Sequence, residues 1–160
     1  MKGAALDELE TGARLVSHRR TITETDIVLF TAMTWINDPI FTDETFASTT
    51  QFGGRVAPGP LLVAYGLGLT EELVYGTTLA ALGINNVLFR GPVRPGSTIH
   101  VETTVGEKRL SQSRPGTGVV QFKHEVFSDN SAAPVCLFER NMLVGTRQYL
   151  DDLRSAKAAR

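Results

Sequence analysis

Residues 55–76, RVAPGPLLVAYGLGLTEELVYG, decide the architecture. Gly59-Pro60 puts a proline at the first helical position, where its fixed φ suits the helix and its missing N–H leaves no bond unmade. Leu61, Leu62, Val63, Ala64, Tyr65, Leu67 and Leu69 follow with little polar face, and a helix apolar all round is a buried helix. Gly66 and Gly68 each lower helix propensity by ~1 kcal/mol relative to alanine. A close approach of sheet to helix backbone is the expected compensation, and Gly76 ends the segment.

Downstream of this helix the chain reads as strands only. Residues 79–89, 98–108, 118–127 and 135–144 are rich in Val, Ile, Thr and Phe, and much of their length alternates apolar with polar. Turn clusters separate them at Arg94-Pro95-Gly96-Ser97, Ser113-Arg114-Pro115-Gly116 and Ser128-Asp129-Asn130-Ser131. Upstream, residues 14–22 read as a strand. Thr23 with Asp26 three residues on reads as a capping box, and the helix behind it carries Ile27, Phe30 and Met33 at three-residue spacing. That helix must stop before Pro39. Asp43 caps a short helix over 43–48. One early strand, helices, then four consecutive strands predict an α+β domain, an antiparallel sheet wrapped around one long buried helix.

The 160 residues suit a single domain over 1–160, with a core of about 13–147 and loose, charged ends. Residues 151–160 are expected as an exposed helix, acids leading and bases trailing. Seventeen acidic against sixteen basic side chains leave no basic excess for nucleic acid. No window approaches the ~18 apolar residues of a membrane span. The first residues carry acids where a signal peptide would be apolar. A lone cysteine, Cys136, forms no internal disulfide, and a cytoplasmic setting is expected. No metal-ligand or nucleotide-phosphate spacing appears. His100 and His124 are expected as surface cross-strand partners.

Three stretches carry a family resemblance: 21–59, TITETDIVLFTAMTWINDPIFTDETFASTTQFGGRVAPG; 89–109, FRGPVRPGSTIHVETTVGEKR; and 113–130, SRPGTGVVQFKHEVFSDN. They resemble the MaoC-like branch of the hot-dog fold, the type of the (R)-specific enoyl-CoA hydratases. The resemblance implies dimers with continuous sheets and an acyl thioester, on CoA or a carrier protein, held at the subunit interface. It implies no further cofactor. It also implies an Asp and a His acting on water, from a motif of Asp, any residue, Asn, Pro, an aliphatic and His. A backbone N–H at the start of the central helix would polarise the thioester carbonyl.

Anchored on Pro39, this chain has Ile36 at the aspartate position and Phe41 at the histidine position. Asp38 is the surviving carboxylate of the loop. It reads either as a relocated base desolvated by Trp35, Ile36 and Phe41, or as a turn residue bonding its own backbone before Pro39. Asn37 reads as a group that orients water, or as plain loop. Gly59 is the expected carbonyl donor, since Pro60 has no N–H. Phe41, Ile36, Trp35 and Phe52 are expected to line the substrate tunnel, and Arg94, like Arg55 and Arg90, to meet CoA phosphates. Three functions follow: a hydratase or dehydratase with a degenerate or relocated acid/base site, a non-catalytic acyl-binding subunit paired with an active homologue, or an acyl-CoA thioesterase.

Overall fold

The computed structural model describes residues 3–158. Six strands form one antiparallel sheet: β1 Arg14–Val16, β2 Arg20–Thr21, β3 Thr78–Phe89, β4 Thr98–Leu110, β5 Thr117–Ser128 and β6 Cys136–Gly145. Their order is β1-β4-β5-β6-β3, with β2 also on β4. Five α-helices accompany them: α1 Glu24–Thr34, α2 Pro39–Thr42, α3 Glu44–Ser48, α4 Gly59–Leu69 and α5 Arg147–Ala158.

The stretch that decided the architecture forms α4, with Pro60 in its first turn and Leu61, Leu62, Gly66 and Leu69 buried. Gly66 faces the sheet so closely that a Cβ there would stand 2.9 Å from the ring of buried Phe138 on β6. The helix and the inner face of the sheet together enclose Ile22, Ile27, Leu61, Leu62, Ile99, Val101, Val126 and Phe138. None of the helices among the described residues is long and apolar enough to cross a membrane.

The early strand is broken in two. Val101 N–H donates to the Ser17 hydroxyl instead of to a backbone carbonyl, at 2.9 Å, and the regular ladder lapses between β1 and β2. The capping box at Thr23 and Asp26 is present in full. Of the predicted face of α1, Ile27 is buried but Met33 is 76% exposed.

The segment expected to be loose at the N-terminus is packed where it is described. Gly3 N–H bonds Tyr75 O, Leu6 N–H bonds Gly145 O, and Leu6 and Leu9 close a second apolar cluster with Val105, Phe122 and Met142. The chain had more sheet to cover than α4 alone can bury. At the other end α5 forms as expected, exposed over 151–157 but seated by buried Leu150. The outermost residues of both ends lie outside the described residues.

His124 is not on the surface. Val120, Phe122, His124 and Val126 alternate inward along β5, so the imidazole is buried and tilted against Phe138 at 4.7 Å. Its Nδ1 shares a 2.9 Å hydrogen bond with the Thr103 hydroxyl. Burial, and then the neighbouring Arg140 charge, pull its pKa down to about 3.

A second polar knot ties α1 to α4. Tyr65 OH donates to Asp26 Oδ1 at 2.5 Å, and Arg20 lies over the Tyr65 ring while donating to Asp26 at 2.9 Å. Burial alone would raise the Asp26 pKa. Hydrogen bonds from Tyr65, Thr23 and Arg20 outweigh it and hold the carboxyl near about 2.

Two outcomes follow for stability. Gly66→Ala forces a methyl into the Phe138 ring within a closed core, and is expected to cost about 1–3 kcal/mol in urea denaturation. The Asp26 carboxylate stabilises the fold above its ordinary pKa, and this contribution is lost as pH falls from about 4 to 2. Denaturation midpoints followed down that window are expected to fall steeply in the wild type and more gently in Asp26→Asn.

Candidate functional site

The loop between α1 and α4 is built from short capped helices. Trp35 ends α1 in the left-handed conformation at φ 61°, its N–H on Thr31 O. Asp38 then caps α2, its Oδ1 accepting from Ile40 N–H at 3.1 Å. Asp43 caps α3 by accepting from Phe46 N–H at 3.0 Å. Arg55 staples the loop to α1, pairing with Glu24 at 2.7 Å and Glu44 at 3.2 Å.

This loop, the start of α4 and the end of β3 enclose a cleft of about 280 Å³. Ile40, Phe41, Phe52, Val56 and Ala57 form one wall, Gly59 and Leu62 the helix side, and Phe89 to Pro92 the strand side. Three of the residues expected there are present: Gly59, Phe41 and Phe52. Gly59 is the first residue of α4, where an N–H has no intrahelical acceptor and the helix dipole is positive. A Cβ at this position would meet the Phe89 ring at 2.7 Å, so a larger residue here displaces the ring that packs on the start of α4.

The other expected residues do not line the cleft. The Asp38 carboxylate is exposed and engaged as a helix cap, and Asn37 is exposed beside it, its N–H on Trp35 O. Trp35 is 84% exposed because its left-handed backbone turns it away from the protein. Ile36 is half-buried outside the lining. Arg94 is turned inward to the loop, donating to the carbonyls of Phe52 and Gly53. It braces a wall of the cleft in place of offering a free fork to phosphates.

Ile40, Leu62, Phe89 and Pro92 complete a lining that sequence reasoning did not assemble. Their apolar types carry no signal separating a cleft wall from core. Arg90 is the one ionisable side chain in the lining. The arrangement offers an open, largely apolar cleft beside the first residue of α4, with no carboxylate or imidazole in its lining. No cluster of metal-binding side chains occurs among the described residues.

Comparison with known proteins identifies the family and the fold. The MaoC like domain matches residues 9–126. A protein named MaoC from Klebsiella aerogenes is 33% identical over 108 residues, 68% of this chain and 32% of that protein. A 3-hydroxybutyryl-CoA dehydratase from Methylorubrum extorquens is 36% identical over 105 residues, 63% of each. The chain therefore spans about a third of the first relative and less than two thirds of the second. Among solved structures, an unliganded R-hydratase from Pseudomonas aeruginosa superposes with a TM-score of 0.73 at 28% identity, over 89% of this chain and 86% of that one. A double-hotdog protein from Mycobacterium tuberculosis, 20% identical, shares the fold with a TM-score of 0.78 over 90% of this chain and 44% of that one. With more than half its length matched by the domain model, and an antiparallel sheet around a central helix, the chain belongs to the MaoC-like family and has the hot-dog fold.

Proposed function

We propose that this chain is the acyl-thioester-binding part of a hydratase or dehydratase assembly, with the acid/base pair supplied by a second hot-dog subunit. The observation that carries the reading is the lining of the cleft, shaped for an acyl chain and without a proton-transfer group. Hydration of an enoyl thioester adds hydroxide to C3 and a proton to C2, while negative charge builds on the carbonyl oxygen. The Gly59 N–H and the positive end of α4 serve that oxygen. Delivering the hydroxyl and the proton needs an acid and a base, and their absence removes roughly 10²–10⁴ in rate.

The β3 edge supports a partner. It is the last strand of the sheet, and Leu82, Ile84, Leu88 and Phe89 on it are exposed. A long apolar edge with unpaired backbone is where a second sheet docks. A homodimer would join two sites that both lack the pair, so the active assembly is a heteromer with a homologue that keeps Asp and His.

The test is a crotonyl-CoA assay on the purified chain, with the enone absorbance and free thiol followed together and binding measured by calorimetry. The expected result is binding without loss of enone or release of thiol, and weaker binding in Gly59→Ala, whose methyl enters the cleft mouth. Hydration by the chain alone that disappears in Asp38→Asn would overturn this reading in favour of a relocated base. Thiol release would make the protein a thioesterase.

A further inference from the structure

Three aromatic rings line the cleft at the start of α4: Phe41 and Phe52 on the loop side, and Phe89 on the strand side. Each is held through its backbone. Phe41 N–H donates to Asp38 O within capped α2, Arg94 donates to the carbonyl of Phe52, and Phe89 pairs with Cys136 on β6. The Phe89 ring is turned toward α4, where a Cβ on Gly59 would meet three of its carbons at 2.7–2.8 Å. Phe41 stands where the family motif has a histidine, so the change that removes an imidazole from the loop also adds a third phenyl ring to the lining.

The closed side of the cleft lies near the candidate carbonyl donor. Val56, Ala57 and Leu62 are the buried members of the lining and form its floor. Leu62 is three residues along α4 from Gly59, a rise of about 4.5 Å. A long extended acyl chain exceeds that depth, whereas a flat ring joined to the carbonyl by a short spacer does not. An apolar cavity of about 150 Å³ lined by Leu, Ile and Phe is enough to take benzene. The cleft, at about 280 Å³, has space for a phenyl ring and the carbons that join it to a thioester. Phenyl walls also favour an aromatic guest over a chain of equal area, because ring faces and edges carry complementary partial charges that methylenes lack.

We propose that the acyl group taken by this cleft is aromatic, an aryl-substituted enoyl thioester of the cinnamoyl type. The inference rests on the acyl-thioester reading above. The thioester carbonyl accepts from the Gly59 N–H, the double bond crosses the mouth, and the ring lies among Phe41, Phe52 and Phe89 above Leu62. The floor sets the reach of the acyl group and the three rings set its type.

Calorimetric titration of the full chain with cinnamoyl-CoA, 2-nonenoyl-CoA and 3-cyclohexylacryloyl-CoA tests this. All three are enoyl thioesters with the same number of acyl carbons, and only the first carries an aromatic ring. Cinnamoyl-CoA is expected to bind about tenfold more tightly than either of the others, the scale of two favourable ring pairs. Phe41→Leu and Phe52→Leu, which keep an apolar wall without the ring, are each expected to cut that preference about threefold. Equal affinities for the three, or tighter binding of 2-nonenoyl-CoA, would overturn the aromatic site and leave the thioester reading standing. Cyclohexylacryloyl-CoA binding as well as cinnamoyl-CoA would overturn it too, and that comparison needs no variant to fold. A preference unchanged in both variants would place the ring elsewhere and overturn the proposal. Binding of none of the three would overturn the thioester reading with it.

Discussion

The close packing of α4 on the sheet at Gly66 and Phe138 sets the rest of the structure. A helix without a polar face has no stable place at a surface, so the sheet must curve around it. The helix can lie deep only where its own side chain is absent. Gly66 provides that absence opposite Phe138, and the same contact fixes the rotation of α4 about its axis. Once that rotation is set, Gly59 and Leu62 line the cleft at the start of α4 and Leu67 faces the opening at its other end. The position of the candidate carbonyl donor is thus a consequence of core packing some seven residues away.

The loop before α4 shows how a site changes character while its frame persists. Where the family resemblance puts an aspartate and a histidine, Ile36 and Phe41 are apolar, and Phe41 forms part of a continuous dry wall with Ile40, Phe52 and Val56. Asp38, the remaining carboxylate, answers the N–H of Ile40 at the start of α2. A carboxylate used as a cap is spent on the backbone and exposed to water, outside the cleft. Arg94 and Arg55 hold the loop by its carbonyls and its acids. The frame of loop and helix is intact, and what differs from the family motif is the set of side chains facing the cleft.

Most of the fold was legible because local signals and the global packing agree. Pro60, the Thr23 and Asp26 box, the Asp43 cap and the alternating strands each specify their element through contacts within a few residues. What was not legible depended on partners far away in sequence. His124 looks like a surface residue by type, and only its register with Val120, Phe122 and Val126 sends it inward. The packing of Leu6 and Leu9 depends on the second apolar cluster, which exists only after β5 and β6 have paired. Trp35 is expected at the candidate site from the family geometry, and Arg94 from the fit of a guanidinium to phosphates. A left-handed cap and two loop carbonyls direct them elsewhere. Of the cleft itself, Gly59, Phe41 and Phe52 were foreseen, and the Phe89 to Pro92 wall required the sheet.

The inner face of the sheet carries an unusual line of polar groups under the helix: the Thr103 hydroxyl on β4, His124 on β5, and Arg140 on β6 reaching toward Glu71. An apolar core of the same volume would be at least as stable, because desolvating an arginine offsets much of what a single distant carboxylate returns. The field of Arg140 adds to burial in keeping His124 neutral, and the imidazole in turn leaves Nε2 without a partner. His124 Nε2 and Arg140 Nε and Nη2 lie buried without a hydrogen-bond partner, where native cores leave few such groups unsatisfied. Stability alone gives no reason for an arginine at this position.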